Sequence, residues 1–96
     1  MTIGQTLRRL RIENGLTVGV FSRVLGYSPA KVSAIEGDRC ILTTEIGIRE
    51  MARLLSTDPD ILFCGFGFVP DDIISKITSS PEVMKEIRSV LGLDLG

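Results

Sequence analysis

Every proline in this chain stands where a helix would begin, and that placement cuts the chain into a series of short helices. There are four prolines. Ser28-Pro29, Asp58-Pro59 and Ser80-Pro81 each pair an oxygen that can accept an orphan N–H bond with a first helical residue that needs no donor. Pro70 predicts one more start. Glycine supplies the opposite punctuation, with stops at Asn14-Gly15, Gly26 and Gly37-Asp38. Between these marks the apolar residues fall at helical spacing. The stripes are Ile3, Leu7 and Leu10; Val20, Phe21, Val24 and Leu25; Val32 and Ile35; and Ile48, Met51, Ala52 and Leu55. Two more follow, Ile73, Ile74 and Ile77, then Val83, Ile87, Val90 and Leu91. Thr17 is the expected cap of the second helix, and Thr43 or Thr44 that of the fourth. A short fifth helix is expected from Asp58 to about Cys64. No strand-like alternation, repeat or low-complexity segment occurs. The chain therefore reads as all-α, with a break at "GFGFVP" that divides a domain at 1–64 from a helical extension at 65–96.

Ninety-six residues support one small core. A hydrophobic share of 44% exceeds what such a core needs, which predicts a partner interface, most simply a homodimer. Charged residues interrupt every apolar run before the roughly 18 residues of a membrane span. "MTIGQTLRRLRIENG" lacks an apolar secretory core, so the expected compartment is the cytoplasm. Cys40 and Cys64 lie far apart and histidine is absent, so neither a metal site nor a disulfide is expected and both read as ordinary thiols. With no base beside a nucleophile and no phosphate-cradling glycine loop, no enzyme activity and no cofactor are expected. Asp71-Asp72 suits a helix start, where acids complement the dipole.

The net charge of −1 argues against an indiscriminate nucleic-acid binder, but its distribution is uneven. Residues 1–40 carry six basic side chains against three acidic ones, net +3; residues 41–96 carry five against nine, net −4. A first half facing an anion accounts for this asymmetry, and so does chance in a short chain.

Short helix, glycine turn, short helix is the helix-turn-helix unit. Residues 3–62 resemble the Cro and lambda-repressor-type helix-turn-helix family, also called Xre-like. The blocks that carry the resemblance are "LRRLR" (7–11), "GLT" (15–17), "FSRVLGYS" (21–28), "KVSAIEGD" (31–38) and "MARLLSTDPDIL" (51–62). The resemblance implies a lambda-repressor-like five-helix domain, here with one or two additional C-terminal helices, and double-stranded DNA as partner. It makes 28–36 the recognition helix, gives Phe21-Ser22 the place where the two helices cross, and matches Arg11 and Glu36 to a structural ion pair.

The departures from the family fall on the reading surface. Where members carry a phosphate-bonding Gln the chain has Val18, followed by Gly19, and the family's Asn-Gly has become Gly37-Asp38. By resemblance the base-facing positions are Pro29, Ala30 and Ala34, flanked by Lys31 and Ser33. Alanine and proline can pack on thymine methyls; Ser28 and Ser33 can bond bases or phosphates; Lys31 can reach guanine or neutralise a phosphate. Direct readout is therefore expected to be weak, with specificity leaning on DNA shape and half-site spacing. Phosphate contacts are expected from Thr17, Arg39, Thr43 and Thr44, with Arg23 as an addition, whereas Arg8 and Arg9 read as solvated surface. So few contacts predict dimerisation. Expected at the contact are Phe66, Phe68, Ile74, Val83, Ile87, Val90 and Leu91, although the phenylalanines suit a core cap equally well. A two-fold pair would set its recognition helices about 34 Å apart. Three readings follow: a repressor-like homodimer on a palindromic operator, an antitoxin whose tail folds on a toxin, and an interaction module that keeps the fold without reading DNA.

Overall fold

Capping side chains set where the helices begin. The computed structural model describes residues 1–42 and 44–93, and among these the chain forms seven α-helices and no strand. They are α1 (Ile3–Glu13), α2 (Val18–Leu25), α3 (Pro29–Glu36), α4 (Glu45–Leu54), α5 (Pro59–Phe66), α6 (Asp71–Ile77) and α7 (Pro81–Val90). Thr2, Thr17, Ser28, Thr44, Asp58 and Ser80 each accept a backbone N–H from the first turn they precede, and Thr2 and Gln5 complete a reciprocal capping box. Pro29, Pro59 and Pro81 open their helices, whereas Pro70 is the residue before α6. Thr43, the alternative cap of α4, lies outside the described residues; Thr44 caps it.

The first five helices share one core, the lambda-repressor-like body expected for this class. It is built from Leu7 of α1, Phe21 of α2, Val32 and Ile35 of α3, and Leu42. From α4 come Ile48, Met51 and Ala52, with Leu55 just after it, and from α5 Leu62, Phe63 and Phe66. Two expectations are corrected. Val20 and Val24 are not inside but 41% and 51% exposed. The inward stripe of α2 is instead Val18, Phe21, Ser22 and Leu25, spaced three or four residues apart, and Val20 and Val24 face away from it. Nor does α5 stop at Cys64. It runs to Phe66 and ends on Gly67 in the left-handed region, φ 66°. Phe66 is thereby drawn into the body's core, and the half-buried Phe68 stacks on Phe63 with centroids 5.8 Å apart.

α6 and α7 are of a different kind. They pack on each other, and neither contains a fully buried residue. The radius of gyration is 16.1 Å, against about 12.5 Å for a compact chain of this length, and the long axis reaches 49 Å. The pair is an arm on the body. Ile73, Ile74, Val90 and Leu91 are exposed, while Val83 and Ile87 are half-buried. An apolar groove of about 340 Å³ runs between α5 and α6, lined mainly by Phe63, Phe68, Val69, Pro70, Ile73 and Ile77. Among the described residues, no helix is long and apolar enough to cross a membrane.

Among the described residues, one polar tie fastens the arm. The first amide of α6, on Asp71, donates to Glu45 Oε1 at 2.6 Å, and Glu45 Oε2 takes Arg49 Nε at 2.9 Å. The Arg49 guanidinium also lies 5.1 Å from the centre of the Phe63 ring. The Asp71 amide, and then the Arg49 side chain, hold the Glu45 carboxyl below its ordinary range. A folded-state pKa below the unfolded value makes this tie complete above the ordinary carboxylate pKa and lost as pH falls through the depressed one. In an NMR titration the Asp71 amide shift should follow Glu45 with a midpoint below 4.5, and Glu45→Gln should abolish that transition.

Candidate nucleic-acid interface

Helix α3 is held by one edge and free along the other. α2 packs against it, and the small, buried Ser22 turns its hydroxyl back to the Gly19 carbonyl at 2.9 Å. Gly26 then reverses the chain in the left-handed region, φ 74°, and the Tyr27 amide closes the turn on the Ser22 carbonyl at 2.8 Å. Val32 and Ile35 are each 1% exposed, so the opposite face of α3 must point outward. Pro29, Ala30, Lys31 and Ser33 are exposed there, and Ala34 is half-buried.

Two polar locks tie the end of α3 to α1. Arg11 and Glu36 form a bidentate pair, Nε to Oε2 at 2.7 Å and Nη2 to Oε1 at 3.0 Å, and both side chains are at most a tenth exposed. Arg11 Nη1 also donates to the Leu16 carbonyl at 2.8 Å, so the same guanidinium pins the turn before α2. Asp38 makes the second lock. Read from sequence only as a stop signal, it sits at φ 58° and accepts the Gly4 amide at 2.8 Å and the Thr2 hydroxyl. Its carboxylate thus faces the start of α1, where the helix dipole favours an anion. Gly4 is required there, because a Cβ would stand 2.4 Å from the Glu36 carbonyl oxygen.

The free positive charge of the body collects around this helix. Among its described residues, Arg9 pairs with Glu13, Arg49 with Glu45 and Arg53 with Glu50, and Arg11 is taken by Glu36. Arg8, Arg23, Lys31 and Arg39 have no carboxylate within pairing distance, and all four are exposed. Arg39 follows α3 and lays its guanidinium over Gly37. Arg8, read from sequence as solvated surface, lines a polar cleft of about 320 Å³ with Arg11, Val18, Ser33, Glu36 and Gly37. The structure therefore brings it beside the end of α3.

The hydroxyls of Thr17, Ser28 and Thr44 accept from Val20, Lys31 and Gly47 as caps, which leaves each hydroxyl hydrogen free to donate outward. Thr43 lies outside the described residues. Tyr27 is a residue that sequence reasoning passed over. Its ring lies under Lys31, with Nζ 4.0 Å from the ring centre. Burial, with a smaller contribution from Cys40, pushes the phenol pKa up, so the hydroxyl stays protonated. The available signal was the chain's single tyrosine placed one helical turn before a lysine.

A family model described as a helix-turn-helix domain matches residues 2–62, well over half of the chain. No curated protein and no solved structure matches.

Two stability experiments follow from the locks. Arg11→Met should cost about 3–5 kcal/mol in urea denaturation, because it strands the Glu36 carboxylate, and the double replacement with Glu36→Met should cost less than the two single losses together. Gly4→Ala should cost about 1–3 kcal/mol by the same measurement, since its methyl meets backbone that cannot yield cheaply.

Proposed function

This chain belongs to the helix-turn-helix domain family, and on that premise we propose that it is a DNA-binding transcriptional regulator acting as a homodimer on a palindromic operator. The observation that carries this reading is the coincidence of an exposed α3 with the body's unpaired cations. Lys31, Arg39 and Arg8 lie on or beside that helix, Arg23 is on α2, and the arginines of α4 are neutralised by their own glutamates. A surface of that kind grips a phosphate backbone through counterion release. Residues 1–64 would form the DNA-binding unit, with Thr17, Ser28 and Thr44 adding backbone contacts. Pro29, Ala30, Ser33 and Ala34 would meet the groove, where they offer no bidentate donor, so shape and half-site spacing would supply the specificity.

Few contacts per subunit require a second copy to multiply them. Residues 65–96 suit that role, because the arm leaves Ile74, Val90 and Leu91 open to solvent. The same exposed residues favour a second reading, in which the arm serves another protein, as in an antitoxin or an interaction module.

The test is a mobility-shift assay on mixed genomic fragments across a salt series, with sedimentation of the same sample. The regulator reading expects dimers whose affinity falls steeply as salt rises, and a double Lys31→Ala, Arg39→Ala variant with a shallower slope. Failure to shift any fragment at low salt would overturn it in favour of the interaction module.

A further inference from the structure

Lys31 is the one residue on the exposed face of α3 that could read a base through a charged donor, so the direction of its ammonium decides how the helix is used. The ammonium rests over the Tyr27 ring, 4.0 Å from its centre. That ring does not lie at the exposed tip of α3. Its hydroxyl end reaches the start of α4, where a Cβ built on Gly47 would stand 2.7 Å from the Tyr27 oxygen and 2.8 Å from Thr44 Oγ1. The tyrosine therefore bridges α3 and the first turn of α4, and Gly47 makes room for it. The ammonium of Lys31, at the third position of its helix, rests on this bridge.

We propose that Tyr27 is a positioning residue, which holds the Lys31 ammonium on the α4 side of the recognition helix so that it meets the DNA sugar–phosphate backbone and not a base edge. Resting on the DNA-binding reading above, this assigns Lys31 to grip and leaves α3 without a charged base reader. The ring is the operative part. A lysine stem loses several free rotors when it meets a partner, and an aromatic face that holds the cation beforehand removes part of that cost.

The experiment uses the full chain and two probes, short alternating A·T and alternating G·C duplexes, each titrated across a salt series. Lys31→Ala should weaken binding by the same factor on both duplexes and lower the slope of log affinity against log salt by about 0.9 per subunit. Tyr27→Phe keeps the ring and should bind as the wild type does. Tyr27→Leu should lose about two- to fivefold per subunit, the ratio that an exposed cation–π contact represents. That loss should vanish when Lys31 is already alanine, which a merely structural tyrosine would not allow. NMR of the free protein adds an independent readout: the Lys31 methylene signals next to the ammonium should be ring-shifted in the wild type and in Tyr27→Phe, and not in Tyr27→Leu. A Lys31→Ala loss confined to the G·C duplex would overturn the proposal by making Lys31 a base reader, as would a Tyr27→Leu loss undiminished in the Lys31→Ala background. Wild-type protein that binds neither duplex at low salt would overturn the DNA-binding reading and this inference with it.

Discussion

The presentation of α3 depends on one buried ion pair. An eight-residue helix has little stability of its own, so its direction must come from what it is fastened to. Val32 and Ile35 supply adhesion, but apolar contact tolerates sliding and rotation. The Arg11–Glu36 fork does not, because two parallel N–H···O bonds fix distance and plane together. Its net contribution to stability is modest once the desolvation of both charges is counted. Its contribution to orientation is large, since the same guanidinium holds the Leu16 carbonyl and so joins α1, the approach to α2, and α3 at one point. Asp38 closes the far side of that frame on the first turn of α1. The outer face of α3 stands proud because these polar locks occupy its inner edge.

Charge follows the same division. The cations of α4 are spent within their own helix, Arg49 on Glu45 and Arg53 on Glu50. Those near α3 are not. The carboxylates nearest those cations are committed elsewhere, Glu36 to Arg11 and Asp38 to the start of α1, so the field that would attract an anion is not cancelled there. Glu45 serves two ends, for it neutralises Arg49 and accepts the first amide of α6.

Local rules were enough to lay out the helices. Ncap hydroxyls, prolines and the glycine turn are short-range signals, and the caps at Thr17, Ser28, Thr44, Asp58 and Ser80 act within their own first turns. What depended on the other side of a contact was harder to see. Val20 and Val24 are as apolar as the residues inside, and only the angle at which α2 meets its neighbours leaves them out. Phe66 is buried because α5 runs two residues past Cys64, and that extension depends on where Gly67 turns. Asp38 bonds Gly4 across 34 positions, a distance no local pattern spans. Tyr27 was legible in spacing but not in aim, because the gap that admits it is made by Gly47 in another helix. Along α6 and α7 the stripes are genuine, yet among the described residues none of their side chains is fully buried.

The separation of inner and outer edges on α3 also bears on how such a protein can change over generations. Pro29, Ala30 and Ser33 are exposed, whereas Val32 and Ile35 are buried in the core and Glu36 is bound to Arg11. Side chains on the outer edge are therefore interchangeable type in a rigid press. New lettering can be set there at little risk to the machine, and a lineage can move to a different target while its architecture stays still.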